Sequence, residues 1–229
     1  MLISVIITTY NNPKFLKQCL NSFVSQKDKN FEVVVADDGS TKETKELVYS
    51  YKDKLKINHV WHADKGFRAA KIRNEAVKIS SGKYLVFIDG DCITYNDFIK
   101  NHRKISEHGY FARGNRAMLS HSFSKHIINS DQDINLISNI EILKLRFFKD
   151  INRILPTIRI TNLPFRKIFK TKWKGAKTCN LGVWKEDFVN INGYNESYVG
   201  WGREDSDFVV RLINNNIFRK EATFSTGLF

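Results

Sequence analysis

Short apolar runs alternate with helical stripes along the first ninety residues. Residues 2–8, apolar except for Ser4 and Thr8, read as a strand buried on both faces. Asn12 and Pro13 then offer an N-cap and a first helical position, and Leu16, Leu20, Phe23 and Val24 recur at helical spacing. A second strand is predicted at 31–36, closed by Asp37-Asp38-Gly39-Ser40. Ser40 and Glu43 spell a capping box for a helix with Leu47, Val48 and Tyr51 inside. A third strand follows at 57–61, then a helix over 67–80 striped by Ala69, Ile72, Ala76 and Val77, then a fourth strand at 84–88. Four β–α alternations predict an α/β fold, with a mostly parallel central sheet and helices on both faces.

Farther on, the pattern loosens. Asn96 is the expected cap of a helix carrying Phe98, Ile99, His102 and Ile105, ended by Gly109, and 110–119 is read as a strand. Ile137, Ile140, Leu143, Phe147, Ile151 and Ile154 fit one face of an amphipathic helix, with Lys144, Arg146, Lys149 and Arg153 mostly off it. Residues 177–184 return to the sheet, and 205–214 close with a helix burying Phe208, Val209, Leu212 and Ile213.

The fourth strand runs into Asp89-Gly90-Asp91. Ligands of open α/β sheets sit beyond the carboxyl ends of the strands. Alternate residues of an extended segment point the same way, and Gly90 lets a bulky ligand approach the backbone. Asp89 and Asp91 can thus aim hard oxygens at one point, which suits Mn²⁺ or Mg²⁺ bridging to phosphate. A turn cap beside a solvated acid is an equal reading of the two residues alone.

Composition places the chain among globular proteins, and 229 residues suffice for one large domain. Cys19, Cys92 and Cys179 lie far apart, without a CxxC, which argues for a reducing, cytoplasmic setting and no disulfide framework. The N-terminus lacks the basic region of a signal peptide, and no window is apolar enough to span a membrane. Charge changes the picture more: the net is +13, and residues 141–177 hold eleven basic residues against Glu141 and Asp150. Such a window seeks an anionic partner: nucleic acid, acidic lipid or a phosphorylated substrate.

Other candidates gather at the strand ends. Tyr10, after Thr8-Thr9, offers a stacking face for a base, or else closes a polar turn. Asp38 can accept from a base or ribose hydroxyl, or serve only its loop. Arg68 and Arg73 lie near one helix N-terminus that already favours phosphate. Arg73 interrupts an apolar stripe and needs an anionic partner, with a structural salt bridge as the equal alternative. Gly200-Trp201-Gly202-Arg203-Glu204-Asp205 sets an aromatic face, suited to a sugar ring, beside acids at a helix start; taken singly, Asp205 is more simply a cap.

Together these pieces resemble the family 2 inverting glycosyltransferases of the GT-A, Rossmann-like fold. The matching segments are 5–11, Asp37-Asp38-Gly39-Ser40, Gly66 with Ala70, Arg73 and Asn74, and Asp89-Gly90-Asp91 as the DxD. Residues 180–182, 193–196 and 200–205 are similar to the galactosyltransferase-type C-terminal module found in animal β-1,4-galactosyltransferases and bacterial chondroitin polymerase. The resemblance implies one GT-A catalytic domain over 1–229. Its 1–100 half would bind the nucleotide sugar, and its 101–229 half, with a basic insert at about 120–175, the acceptor. It implies a UDP-hexose donor, galactose or N-acetylhexosamine favoured, held by Thr8, Tyr10, Asp38, Arg68, Arg73 and Asp89. It further implies Mn²⁺ or Mg²⁺ on Asp89 and Asp91, acceptor contacts from Trp201, Gly202 and Glu204, and Asp205 as the general base. The acceptor expected is an oligosaccharide or lipid-linked saccharide of lipopolysaccharide or capsule synthesis, with peripheral contact at the anionic inner face of the cytoplasmic membrane. The family usually has Pro where Thr9 stands, and that module often supplies a histidine metal ligand after its final helix. The sequence stops at Phe229 without one, so either the chain is cut short, the favoured expectation, or the metal uses fewer ligands.

Two rivals remain at this level. A sugar-nucleotidyl transferase would carry a glycine-rich basic loop after the first strand, which Thr8 to Asn12 lacks. A nucleic-acid-binding protein would answer the charge, yet no such signature appears, and no nucleic acid is expected as partner.

Overall fold

The computed structural model describes residues 1–130, 139–160 and 163–229. Its core is one seven-stranded sheet, in the order β3-β2-β1-β4-β6-β5-β7. The first half follows the predicted alternation: β1 (Ile3–Thr9), α1 (Pro13–Val24), β2 (Phe31–Asp37), α2 (Lys42–Tyr49), β3 (Ile57–Trp61), α3 (Ala69–Ile79) and β4 (Tyr84–Asp89). These four strands pair in parallel. After α4 (Phe98–Ile105) come β5 (Tyr110–Arg113), α5 (His121–Ser130) and α6 (Asn139–Phe147). The chain closes with β6 (Asn180–Trp184), α7 (Lys185–Asn190), α8 (Glu204–Asn214) and β7 (Phe218–Glu221). β6 runs antiparallel to both β4 and β5, while β5 and β7 are parallel.

Side-chain alternation sorts the core into two layers. Ile3, Val5, Ile7, Val33, Val35, Val86 and Ile88 meet α1, α2 and α4 on one face. Ile6, Val34, Ala36, Leu85 and Phe87 meet α3, α7 and α8 on the other. Phe87, fully buried, lies between 5.5 and 6.3 Å, centroid to centroid, from Phe188, Tyr194 and Phe208. This aromatic box presses α8 against the central strand and fixes where its first turn stands. Asn74 completes the link: its amide donates to the Tyr194 carbonyl and to Glu196, both at 2.9 Å, and accepts from Tyr194 N–H at 2.8 Å.

Local expectations are corrected in several places. Asn12 occupies the cap position of α1 without a side-chain cap bond. The Ser40–Glu43 capping box does not form: α2 starts after Thr41, and Ser40 Oγ instead accepts from Asn11 N–H at 2.8 Å. Asp97, not Asn96, precedes α4. The strand expected at 110–119 ends at Arg113; Gly114 N–H still donates to the Asn180 carbonyl at 2.9 Å, continuing the pairing with β6 by one bond. The predicted amphipathic face is also displaced. Ile142 and Leu145 pack inward with Ile151 and Ile154, while Ile140, Leu143 and Phe147 stand in solvent; Ile137 lies outside the described residues. The helix is short and the chain reverses at Lys149 (φ 61°), so a stripe drawn over eighteen residues averages two differently oriented segments.

Part of the basic window is structural. Arg166 donates to the carbonyls of Glu221 and Thr223, Arg159 pairs with Asp97, and Lys167 pairs with Glu107. Lys144, Arg146, Lys149, Lys170, Lys172 and Lys174 remain exposed.

Candidate active site

β1, β2 and β4 end at one rim of the sheet, and the antiparallel β6 begins there, because Ile88 pairs with Asn180. Residues leaving β4 therefore share an edge with those entering β6. A cleft of about 460 Å³ opens at this rim. Thr8, Tyr10 and Asp38 line one side, Arg73, Asp89 and Asp91 the floor, and Thr178, Trp201, Gly202, Glu204 and Asp205 the other. Another cavity, about 700 Å³, lies behind α3 against Phe188 and Arg211, away from the acid pair.

Arg73 is the hub. It is 4% exposed, and its Nε donates to Thr8 Oγ1 at 3.0 Å. Its two terminal nitrogens lie 3.6 Å from Asp89 Oδ1, 3.5 Å from Glu204 Oε1 and 3.6 Å from Asp205 Oδ1. A charge interrupting the α3 stripe thus finds three acids, one from β4 and two from α8. Both readings of Arg73 have a basis here: it is salt-bridged, and it also lines the cleft.

Asp89 and Asp91 do converge. With Cys92 they offer ligand atoms within 4.8 Å of one another. Burial pushes the Cys92 thiol well above its ordinary value, so the two hard carboxylates are the donors that suit Mn²⁺ or Mg²⁺. Gly90 has a structural reason as well: a Cβ there would come 3.1 Å from the Thr8 carbonyl oxygen and from Thr9 Cβ. Burial also pushes the Asp89 carboxyl up to about 6; Arg73 and Arg116 pull it back, while Asp91 and Asp205 add to the rise. A metal binds only the ionised form, so proton and ion compete. Below about pH 6, apparent Mn²⁺ affinity is expected to fall roughly tenfold per pH unit. Titrations at pH 5, 6 and 7 check this, and a flat profile would refute it.

Asp205 is not a helix cap. Arg203 holds the position before α8, at φ 71°, and Asp205 is the second residue of the helix. Its carboxylate accepts from Thr178 Oγ and, at 3.2 Å, from Thr178 N–H. Trp201 is 90% exposed, on a loop whose Gly200 and Gly202 adopt φ of 93° and 111°, a conformation glycine supplies without strain. Glu204 is buried, with Oε2 lacking a hydrogen-bond partner.

Beyond the end of β2, Asp38 is buried but already engaged. His62 Nε2 lies 2.6 Å from its Oδ1, and Arg68 N–H donates to its Oδ2 at 2.8 Å. Asp37 serves the turn, accepting from Ser40 N–H. Tyr10, half exposed, donates its hydroxyl to Asp64 at 2.7 Å, which leaves its ring face open. Arg68 stands apart: its guanidinium turns back to the Ala63 carbonyl and does not line the cleft. Thr178 and Arg116 are cleft residues that the sequence reading missed. Thr178 precedes a strand whose reversal has no local signature, and Arg116 lies in no motif.

Residues 4–111 match the model of glycosyl transferase family 2, and residues 165–227 match one described as the N-terminal domain of galactosyltransferase. Validoxylamine A glucosyltransferase of Streptomyces hygroscopicus subsp. jinggangensis is 28% identical over 227 residues, spanning 92% of this chain and 51% of that protein. Chondroitin synthase of Escherichia coli is 24% identical over 238 residues, 94% of this chain and 33% of that one. Thus the chain spans about half the length, or less, of these curated relatives. Among solved structures, S. aureus TarS 1–349 in complex with UDP-GlcNAc superposes with a TM-score of 0.66 at 21% identity, covering all of this chain and 58% of that one.

Proposed function

From the premise that this chain is a family 2 glycosyltransferase of the GT-A fold joined to a galactosyltransferase-type segment, we propose that it transfers a hexose from a UDP-sugar to a saccharide acceptor with inversion. The observation carrying this reading is the single cleft in which Arg73 ties the Asp89 side of the site to Asp205. A divalent ion held by Asp89 and Asp91 would neutralise charge on the departing diphosphate. Tyr10 stacks the base, Asp38 and Thr8 border the nucleoside, and Trp201 offers an apolar face to the acceptor sugar. Asp205 accepts the proton of the acceptor hydroxyl as its oxygen bonds to the anomeric carbon. The bond from that carbon to the diphosphate breaks, UDP leaves with the electron pair, and an α-linked donor yields a β-linkage. Galactose or N-acetylhexosamine is the favoured donor sugar.

A nucleotide-sugar panel read by thermal unfolding tests this reading. With Mn²⁺, UDP at a hundred times its dissociation constant should stabilise the fold by about 2.7 kcal/mol, and without metal by far less. No response to any UDP compound would overturn it.

The acceptor we propose is a saccharide on an anionic lipid carrier, as in lipopolysaccharide or capsule assembly. Support comes from exposed cations interleaved with exposed Phe147, Phe148, Phe165 and Phe169. No described helix is long and apolar enough to cross a membrane; the contact proposed is with the lipid surface. Co-sedimentation with anionic vesicles, and none with neutral ones, is expected; equal recovery with both would count against it.

A further inference from the structure

Among the described residues, one cleft arginine stands where a metal ion would. Arg116 projects from the segment after β5, and its backbone is held by the chain's last residues: Ala117 N–H donates to the Leu228 carbonyl at 2.8 Å, and Arg116 bridges to Leu228. Its Nη1 lies 3.5 Å from Asp91 Oδ1, 3.7 Å from Asp89 Oδ2 and 3.6 Å from Cys92 Sγ. One guanidinium nitrogen therefore faces both DxD carboxylates at once.

Asp89 sits between two arginines that are held very differently. Arg73 is buried, takes Oδ1, and is fixed by a bond to Thr8 and by packing over Tyr194. Arg116 faces Oδ2, its side chain is 27% exposed, and the hydrogen bond that holds it goes to a thiol, a weak acceptor. Both its carboxylate contacts are longer than hydrogen bonds. A divalent ion on the same two carboxylates would place a double positive charge against this guanidinium. The two cations exclude each other, so the ion must displace the arginine. An arriving diphosphate offers the displaced guanidinium a bidentate partner within the same cleft.

We propose that Arg116 is an exchangeable counter-ion of the DxD pair: it neutralises the empty site, yields to the divalent ion, and then grips the diphosphate. This rests on the reading of Asp89 and Asp91 as metal ligands. The exchange makes metal and nucleotide binding mutually dependent. Metal alone must expel the arginine with no new partner for it, whereas metal with UDP supplies one. By linkage, UDP tightens metal binding and metal tightens UDP binding by the same factor.

The test uses Mn²⁺ alone, followed by the loss of its free-ion electron paramagnetic resonance signal, with and without UDP. Arg116→Gln should bind Mn²⁺ alone about tenfold more tightly than the wild type, since no cation competes. In the same variant, the factor by which UDP tightens Mn²⁺ binding should shrink by about tenfold or more. Arg116→Lys, which keeps a charge, should fall between the two, and thermal unfolding is the check that both variants fold. If the wild type binds Mn²⁺ with UDP while Arg116→Gln changes neither quantity, Arg116 is only a structural neighbour and the exchange is refuted. If the wild type binds no Mn²⁺ with or without UDP, the metal reading of the site itself has failed.

Discussion

Asp205→Asn is expected to keep UDP and metal binding while slowing sugar transfer about 10²–10⁴-fold, the range for loss of a general base. The amide has the shape of the carboxylate and remains beside Thr178, which holds both Asp205 oxygens through its N–H and hydroxyl. What disappears is the capacity to take a proton at neutral pH. Single-turnover rates with saturating donor, beside a UDP titration, separate the two effects. Unchanged turnover would remove Asp205 from the chemistry, and lost UDP binding would make it a structural acid.

A larger effect on the fold is expected from Arg73→Met. Three carboxylates, on Asp89, Glu204 and Asp205, lie within 3.6 Å of this guanidinium. Removing one partner of a fully buried ion pair typically costs about 3–5 kcal/mol; Asp89 and Asp205 are partly exposed, so the loss here should lie at or below the lower end of that range. Methionine keeps most of the aliphatic stem, so lost packing contributes little. The denaturation midpoint should fall accordingly, and UDP binding should be lost with it. A midpoint equal to the wild type would mean that the aromatic box under β4, not the arginine, secures α8.

The parallel half of the sheet was legible because β1, β2 and β4 are buried on both faces, the edge strand β3 is short and partly exposed, and each helix shows an apolar stripe. The acids at the strand ends could be found by the same logic, since parallel strands deliver their carboxyl ends to one side. Several features were out of reach. The reversal of β6 places Thr178 beside Asp205, but pairing direction is a tertiary property that leaves no mark on a five-residue strand. Arg116 reaches Asp89 and Asp91 from a segment held by tertiary contacts, Asn115 to the Asn180 amide and Arg116 and Ala117 to Leu228. Asp205 as a cap was the safer local reading, and it failed because Arg203, in the left-handed region, occupies the cap position instead. The misjudged face of α6 came from treating two short segments as one helix.

Because β6 meets β4 head to tail, the spacing between Thr178, which holds Asp205, and the Asp89–Asp91 pair is gauged by a ladder of backbone pairs, Tyr84 with Trp184 through Ile88 with Asn180. Of the residues between β5 and β6, Arg116 and Thr178 belong to that rim, whereas the exposed Lys144, Arg146, Phe147 and Lys149 do not line the cleft. Substitutions at such exposed positions leave the backbone pairing of β4 with β6 untouched, so the surface beside the rim can change without altering the spacing of the groups on it.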